Sequence, residues 1–466
     1  MSSGSMPSIW KCSIVCPIFK KGDKTAPTNY RPISLTSIVC KLMESIIKDD
    51  LLYYFRSNSL ISPNQFAFLP KRSTCSQLLK FSNNISSQMA SNTQIDTVYL
   101  DFSKAFDSIV HSKLLFKLEK YGVSNELFLW LQCFLSNRIQ CVRVKNKVSS
   151  WAEIKSGVPQ GSVLAPILFN IFINDIDNVE NGDPNQFYIY ADDVKCSFAV
   201  NSVADCISFQ KTLDSISKWS CKWQLNLAPN KCTTMSFCYN NPPISFNYTI
   251  NQQLLPKIDK ITDLGIVFSR NLSFDDHIKQ ICCKARKSSA IILNCFKSRN
   301  RLLLFRAFTT YVRPILEYCT NVWSPYSLKN INLIESVQRK FTKRLQGLKD
   351  FSYSERLAHL EAESLELRRL RFGLIMYHKI IHGLVDLDFE NFFCLKTSNT
   401  RSNGLALKRL PFKRNAERYI FKNRLVSIWN DLPHSIVSTS STEAFTNFIN
   451  QRDFKSYLHF NSSAPA

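Results

Sequence analysis

The sequence predicts an α+β fold in which strands and helices are mixed over the first 270 residues and helices dominate the remainder. Short apolar runs bounded by turn residues, as at 12–19, 97–100 and 187–200, are typical of strands. Apolar residues recur at helical spacing from about residue 274 onward. The 466 residues, 45% of them hydrophobic, are enough for a sizeable core and for about three domains or subdomains.

The charge balance indicates a polyanionic partner. Lys and Arg number 59 against 36 Asp and Glu, a net charge of +23. Such a charge is self-repulsive unless a polyanion absorbs it, so nucleic acid is the first candidate and an anionic membrane surface the second. No window of about 18 apolar residues predicts a spanning helix, and the 16 cysteines lack zinc-site spacing. We therefore expect an intracellular protein of a reducing compartment, nuclear or cytoplasmic, with weak import signals at 408–409 and 413–414.

The N-terminal elements are a strand, a basic turn, an extended segment and a helix. Lys20 and Lys21 follow the strand-like run at 12–19, and Pro32 holds Arg31 in extended backbone. The next apolar residues recur at helical spacing and predict one buried helix face. They are Ile38, Leu42, Ile46, Ile47, Leu51 and Leu52.

In the middle of the chain, strand-like patterns alternate with helical ones. A strand at 97–100 ends at Asp101, helical patterns follow near 114–118 and 127–134, and 140–155 alternates as a hairpin does. Ser162 is placed to cap a buried helix over 163–173. The segments 187–190 and 194–200 predict two strands around a turn at 191–193.

Beyond residue 202 the sequence predicts a helix at 203–225 and strands at 232–239 and 261–268. It also predicts basic helices over 274–346 and a basic helical tail beyond 350. In 331–345 one apolar stripe is flanked by Arg339, Lys340, Lys343 and Arg344. The stripe consists of Ile331, Ile334, Val337, Phe341 and Leu345.

Three carboxylates stand out among the predicted turns. Asp101 ends a strand, and Asp192 and Asp193 lie at the tip of a hairpin. If adjacent strands bring them together, they repel one another unless divalent cations occupy the cluster. Mg²⁺ prefers carboxylate oxygen, and two such ions about 4 Å apart support phosphoryl transfer. The alternative is two unrelated acidic turns, since aspartate is a common turn residue.

Three motifs that occur in a fixed order favour the metal-binding interpretation of these carboxylates. They are DFSKAFD at 101–107, SGVPQGSVLAP at 156–166 and YADD at 190–193. This set resembles the reverse transcriptases of non-LTR retrotransposons, most closely the jockey-like lineage, from about Lys11 to Leu345. The resemblance implies a right-hand polymerase with fingers, a ferredoxin-like palm of antiparallel sheet and helices, and a helical thumb. The implied boundaries are partial fingers at 1–95, palm at 96–270 with fingers and palm helices interleaved at 110–155, thumb at 271–346, and a basic, mainly helical C-terminal region at 347–466.

The resemblance also implies a catalytic and metal-binding set. Asp101, Asp192 and Asp193 would hold two Mg²⁺ ions, with Mn²⁺ as a possible substitute, and the backbone carbonyl of Phe102 would add a ligand. Phe106 would lie beneath the sugar of the incoming nucleotide and leave no volume for a 2′-hydroxyl. The alternative for Phe106 is an ordinary core residue.

Further residues match the family's substrate contacts. Gln160 would line the nucleotide site in a loop shaped by Gly157, Pro159 and Gly161, with a plain helix-entry loop as the alternative. Asp107 is interpreted as a structural turn carboxylate. The remaining matches are Lys20, Lys21 and Arg31 as triphosphate contacts (or a solvated basic turn), Lys231 as general acid for pyrophosphate (or a surface lysine), and Leu264-Gly265 as the primer grip.

The function implied is RNA-directed DNA polymerase activity, copying RNA into cDNA. The expected partners are an RNA template, a DNA primer or target DNA, and dNTPs, with no membrane. An inactive nucleic-acid-binding remnant and a group II intron-type maturase remain alternatives. We also expect an N-terminally truncated element that depends on a separate endonuclease for integration.

Overall fold

The computed structural model describes residues 4–239, 243–396, 404–412 and 415–459. The basic pair Lys413-Arg414 lies outside the described residues. Among the helices in these ranges, none combines the length and the apolar character needed to cross a lipid bilayer.

The strands are short and are found only in the first 270 residues of the described ranges. They are β1 (Cys12–Phe19), β2 (Tyr30–Leu35), β3 (Gln94–Leu100), β4 (Arg138–Val144), β5 (Lys147–Val148), β6 (Ala152–Ile154), β7 (Phe187–Tyr190), β8 (Asp193–Val200), β9 (Thr233–Phe237), β10 (Thr249–Ile250), β11 (Gln253–Leu254), β12 (Lys260–Asp263) and β13 (Ile266–Ser269).

The helices are interleaved with these strands and then continue alone. They are α1 (Ile38–Ser57), α2 (Thr74–Ala90), α3 (Ala105–Ser108), α4 (His111–Lys120), α5 (Asn125–Leu135), α6 (Ala165–Ile173), α7 (Val203–Trp223), α8 (Asp275–Cys295), α9 (Arg301–Tyr311), α10 (Arg313–Glu317), α11 (Thr320–Trp323), α12 (Leu328–Lys343), α13 (Tyr353–His359), α14 (Leu365–Ile381), α15 (Phe389–Phe392), α16 (Asn415–Arg418), α17 (Phe421–Arg424), α18 (Val426–Asn430), α19 (His434–Val437) and α20 (Thr442–Gln451).

The chain forms two compact units, and neither is one continuous segment. The first unit comprises residues 1–70, 96–235 and 244–258, and the second comprises 71–95, 236–243 and 259–466. The predicted boundaries of fingers, palm and thumb remain predictions.

Two sheets supply most strands of the first unit, and β3 begins and β9 ends in residues of the second unit. The strand order of one is β7-β8-β3-β9, and that of the other is β2-β1-β4-β5, with β6 paired to β4. Helix α6 is buried along its whole length because its sequence, APILFNIFI, is almost entirely apolar. Ser162 accepts a hydrogen bond from the Ala165 amide over 2.9 Å, as expected of a residue that caps this helix.

The second unit is mainly helical. In α12 the predicted apolar stripe is confirmed, since all five of its members are buried. Helix α2 packs its Phe81 ring against Phe237 and Phe268, with ring centroids 5.8 and 5.6 Å apart. Those two residues belong to β9 and β13, so α2 is part of the core of this unit although it precedes most of it in the chain.

Two sequence predictions were wrong in detail. In α1 the buried residues are Cys40, Glu44, Ile47, Leu51 and Phe55, whereas Ile38, Leu42 and Ile46 are exposed. The apolar spacing misidentified the inward face because that face carries a buried carboxylate. The strand-like run predicted at 261–268 is a hairpin, β12–β13, and its turn residues Leu264 and Gly265, which the resemblance matches to the primer grip, have φ of +44° and +87°.

Candidate active site

Two predicted carboxylates lie at one end of the sheet in the first unit. Asp101 directly follows β3, and Asp192 lies in the turn between β7 and β8, where Tyr190 pairs with Asp193. Strand β8 is the neighbour of β3, and the hydroxyls of Thr97 and Ser197 on these strands are 2.9 Å apart. The charge of Asp101 acts on the Asp192 carboxyl, so the end of β3 lies near the turn before β8.

The electrostatics of Asp192 show which charged groups surround it. Burial raises the pKa of the Asp192 carboxyl above its ordinary value, and the negative charge of Asp101 raises it further. A backbone hydrogen bond and the positive charges of Arg31 and Lys20 act in the opposite direction. The structure thus brings Asp101, Asp192, Lys20 and Arg31 into one electrostatic neighbourhood, whereas the side chain of Asp193 is exposed.

The β1–β2 hairpin places Lys20 near Arg31, and both side chains act on the charge of Asp192. Ile18 pairs with Arg31, and the Lys20 amide extends the ladder by donating to the Asn29 carbonyl over 2.8 Å. Successive side chains of a strand point to opposite faces, so Lys20 shares the face of Ile18 and its partner Arg31.

The backbone around Phe102 leaves one carbonyl oxygen unused by its neighbouring strand. Phe102 forms an antiparallel bridge with Leu227, but the two hydrogen bonds of this bridge join flanking residues. Ser103 donates to Asn226 and Ala228 donates to Asp101, both over 2.8 Å. The Phe102 carbonyl therefore takes no part in the bridge, as the predicted ligand role requires.

The donor set fits a hard cation only in part. Carboxylate and carbonyl oxygens are what Mg²⁺ prefers, and Asp101, Asp192 and Phe102 offer them. Yet within the described ranges no three His, Cys, Asp or Glu side chains already form a group that could hold a metal ion. The charges of Asp101 and Asp192 interact, so these two carboxylates form the core of the candidate site.

Lys231 lies beside Asp101. Its Nζ is 3.4 Å from the Asp101 Oδ1, and the lysine side chain is 61% exposed. The next residue, Cys232, receives a hydrogen bond from the Asp101 amide over 3.3 Å. Sequence reasoning missed Cys232, since a lone cysteine after a lysine carries no distinguishing signal.

The SGVPQGS loop is held on two sides. The Val158 amide donates to the Phe106 carbonyl over 2.9 Å, and the Ser34 amide donates to the Gln160 carbonyl over 2.7 Å. Gly157 has φ +83°, and a Cβ there would lie 2.7 Å from the Asp107 backbone. Gly161 has φ +121°, and its Cβ would lie 2.6 Å from the Ser34 carbonyl. Both positions need glycine for conformation and for space.

Asp107 does more than the predicted structural turn carboxylate. Its Oδ1 accepts a hydrogen bond from Gln160 Nε2 over 2.8 Å. The bond joins the DFSKAFD motif to the SGVPQGS loop and orients the amide of Gln160. The sequence did not predict the Asp107–Gln160 pair because the two residues are 53 positions apart.

Phe106 packs against the hydrophobic core of the first unit. Its ring stacks on Phe169 of α6, with centroids 4.4 Å apart and planes at 17°, and the residue is half-buried. A ring that is stacked and still partly exposed is compatible with both predicted roles, a contact for the nucleotide and a core residue.

The predicted primer-grip turn lies in the second unit. The Tyr318 hydroxyl donates to the Leu264 carbonyl over 3.0 Å, and a Cβ at Gly265 would lie 3.2 Å from the Tyr318 ring. Leu264 is a non-glycine residue in the left-handed region, which costs about 1–2 kcal/mol. The tyrosine contact holds this turn in place.

A family comparison identifies the chain. The model of the family described as "Reverse transcriptase (RNA-dependent DNA polymerase)" matches residues 18–268, more than half of the chain. The chain belongs to the reverse transcriptase family. All predicted site residues of this reverse transcriptase, from Lys20 to Gly265, fall within the matched region.

The chain is also similar to curated proteins of mobile elements. It is 29% identical over 354 residues to the RNA-directed DNA polymerase from mobile element jockey of Drosophila melanogaster, covering 74% of this chain and 38% of the relative. It is 28% identical over 352 residues to the probable RNA-directed DNA polymerase from transposon BS of the same fly, covering 72% and 38%. The predicted resemblance to jockey-like elements is confirmed. The chain spans 38% of the length of these relatives.

Among solved structures, the chain is similar to apo telomerase from Candida Tropicalis. The TM-score is 0.45 at 11% identity, over 81% of this chain and 62% of that chain. The predicted α+β class is confirmed by the mixed sheets and helices, and the right-hand polymerase fold by membership of the family. The family generally uses divalent metal ions.

Proposed function

We propose that this chain is an RNA-directed DNA polymerase that extends a DNA primer with dNTPs on an RNA template. One observation carries the proposal. Asp101 and Asp192 interact at one end of the sheet, and Lys20 and Arg31 oppose the charge of Asp192 from the β1–β2 hairpin. Paired carboxylates faced by cations suit a substrate that contains both a metal-bound triphosphate and a reacting hydroxyl.

The carboxylates and the Phe102 carbonyl would hold the divalent ions, with Asp193 in a supporting role. When bound, two Mg²⁺ ions, or Mn²⁺ in their place, supply charge neutralisation and activation of the primer hydroxyl. Lys20 and Arg31 would neutralise the triphosphate. The Lys231 ammonium, now paired with Asp101, would donate a proton to the leaving pyrophosphate.

The substrate would be selected by groups of the palm. Gln160, oriented by Asp107, would hydrogen-bond the nucleotide, because an amide offers both a donor and an acceptor. The Phe106 ring, supported by Phe169, would occupy the space that a 2′-hydroxyl needs. RNA and DNA would bind largely through phosphate contacts with the basic helices of the second unit, and Leu264-Gly265 would contact the primer.

The test is dNTP incorporation by purified protein on poly(rA)/oligo(dT) with Mg²⁺ or Mn²⁺. The Asp192→Asn variant should lose incorporation and keep template–primer binding, because only a metal-binding carboxylate is removed. Asp214→Asn, which neutralises an exposed carboxylate on α7, is the matched control and should incorporate as wild type does. Equal incorporation by wild type and Asp192→Asn would refute the polymerase assignment.

The alternative of an inactive nucleic-acid-binding remnant predicts a different outcome. Wild type would then bind template–primer and incorporate nothing with either ion. The relatives named as RNA-directed DNA polymerases favour the active enzyme.

A further inference from the structure

We propose that Glu44 is a positioning residue for the nucleotide site, because its buried carboxylate anchors the start of helix α6. The inference rests on the proposed polymerase function for its kinetic consequences. Glu44 lies on the inward face of α1 and its side chain is fully buried.

The carboxylate has three protein donors. Its Oε2 accepts from the backbone amides of Val163 and Leu164, over 2.6 and 3.1 Å. Its Oε1 accepts from the Cys40 thiol over 3.3 Å. Burial and the nearby Glu44 charge raise the pKa of Cys40 to about 12, so the thiol keeps its proton and remains a donor.

The Glu44 carboxylate stabilises the start of α6. The first amides of an α-helix have no partner within it, and the positive end of the helix dipole lies there. Leu164 at the N-cap position of α6 offers no side-chain cap. Glu44 therefore satisfies the amides of residues 163 and 164, and Ser162 satisfies that of Ala165.

A cation on a third element balances the buried charge. Arg138, the first residue of β4, is 1% exposed and interacts electrostatically with Glu44. The guanidinium also donates to the carbonyls of Phe134 and Trp10, over 3.0 and 3.4 Å. Isolated buried charges are costly, so the amide donors and the nearby guanidinium together fix the carboxylate at a defined place between α1, α6 and β4.

Both substrate-selecting groups depend on the anchored helix. Gln160 and Gly161 lie directly before the amides that Glu44 binds, and the Ser34 amide holds the other side of that loop. Phe169 lies within α6 and stacks on Phe106. A shift of α6 would therefore displace the amide that contacts the nucleotide and the ring that excludes the 2′-hydroxyl together.

The test is Glu44→Gln, which keeps shape and one acceptor oxygen and removes the charge. Asp50→Asn, at an exposed carboxylate of the same helix, is the matched control. For Glu44→Gln we expect the KM for dNTPs to rise by roughly tenfold and the preference for dNTPs over rNTPs to fall, with template–primer Kd unchanged. The control should match wild type in all three quantities.

A second measurement is independent of catalysis. Amide hydrogen exchange at residues 163 and 164 should accelerate in Glu44→Gln relative to Asp50→Asn. If Glu44→Gln does not fold, the double variant E44Q/R138M removes both buried charges, and the same exchange and KM changes are expected of it. Unchanged exchange together with an unchanged KM and nucleotide preference would overturn the positioning role. A wild type that incorporates nothing while the exchange result holds would overturn the proposed function alone.

Discussion

At the scale of single residues, Asp107 shows how one carboxylate can orient a residue of the proposed nucleotide site. It receives the Gln160 amide, and its backbone carbonyl accepts from the Ser156 hydroxyl over 3.0 Å. A side-chain amide that is already hydrogen-bonded on its donor side has fewer accessible rotamers. Less ordering is then needed when the nucleotide binds.

Asp107→Ala should raise the KM for dNTPs several-fold with a smaller change in kcat. The variant leaves Gln160 Nε2 without its acceptor and the amide free to rotate, at a cost of about 1–2 kcal/mol. Asp107→Asn keeps an oxygen acceptor at the same place and is the matched control. Steady-state kinetics at saturating template–primer give the comparison, and equal KM values for the two variants would argue against an orienting bond.

Phe106→Ala should increase ribonucleotide incorporation relative to deoxyribonucleotide incorporation. The truncated side chain vacates the volume that a 2′-hydroxyl needs, and overpacking of that kind costs about 1–3 kcal/mol. Competition between a dNTP and its rNTP on one template measures the ratio. Phe116→Ala, at a half-exposed ring of α4, controls for loss of an aromatic residue. An unchanged ratio would assign Phe106 to the core.

The site residues differ in how far sequence could predict them. Asp101, Asp192 and Gln160 lie in short motifs whose local geometry is set by strand ends and turns. Glu44 belongs to a helix whose apolar spacing predicted the wrong inward face, since periodicity assigns a carboxylate to solvent. Its partners, the amides of 163 and 164, become visible only when two distant segments are placed side by side.

At the scale of secondary-structure elements, Lys117 joins three helices of the first unit. Its Nζ lies 2.5 Å from both the Phe172 carbonyl of α6 and the Asp175 carboxylate that follows it. The ammonium also lies 3.8 Å from the centroid of the Trp223 ring on α7. Trp219 of α7 donates its ring N–H to the same carboxylate over 2.9 Å. Burial lowers the pKa of Lys117 to about 8 in spite of that ion pair.

The free energy of unfolding should depend on pH in part through the protonation of Lys117. Its folded pKa of about 8 lies below the ordinary lysine value of about 10.4, so the unfolded chain binds more protons between these limits. Its contribution to the free energy of unfolding therefore rises as pH increases from about 8 to about 10.4, by on the order of 1–3 kcal/mol.

Urea unfolding of wild type and Lys117→Met at pH 7.5 and pH 10 measures this contribution. Other titrating groups are common to both proteins, so the difference between their unfolding free energies isolates Lys117. Lys113→Met, at a neighbouring lysine of α4 whose ammonium donates to the Lys222 carbonyl, is the control. A difference that does not change with pH would show that burial leaves the lysine with an ordinary pKa.

Most elements followed from local patterns, and the exceptions have a physical cause. The predicted strand at 261–268 became a hairpin because Gly265, and Leu264 held by Tyr318, adopt left-handed backbone in its middle. Alternating apolar residues look alike in one long strand and in two short ones. A leucine gave no sign that it would adopt φ +44°.

At the scale of the whole molecule, positive charge is concentrated in the helices that follow the sheets. Residues 274–346 contain 14 Lys and Arg against 4 Asp and Glu, a net charge of +10. Lys340 and Lys343 are exposed near the end of α12, opposite its buried stripe. Exposed cations at this density match the sequence-independent phosphate contacts of a template–primer duplex.

The double variant K340E/K343E should weaken template–primer binding and lower its salt dependence. Each lost phosphate contact reduces the slope of log K against log salt by about 1, so a decrease of about 2 is expected. K396E/K455E, at exposed lysines outside α12, imposes the same change of charge as a control. Fluorescence anisotropy across a salt series measures both, and equal slopes for the two variants would place the duplex elsewhere.

The interleaved course of the chain limits how this protein can be dissected. The polypeptide changes unit five times between its described ends, after residues 70, 95, 235, 243 and 258. A recombinant fragment that starts at residue 259 would lack Phe81 and Phe237, and the apolar surface of Phe268 would be left facing solvent. Deletion mapping would therefore record misfolding as loss of function. Point substitutions in the intact polypeptide are the sound way to assign functions to the two units.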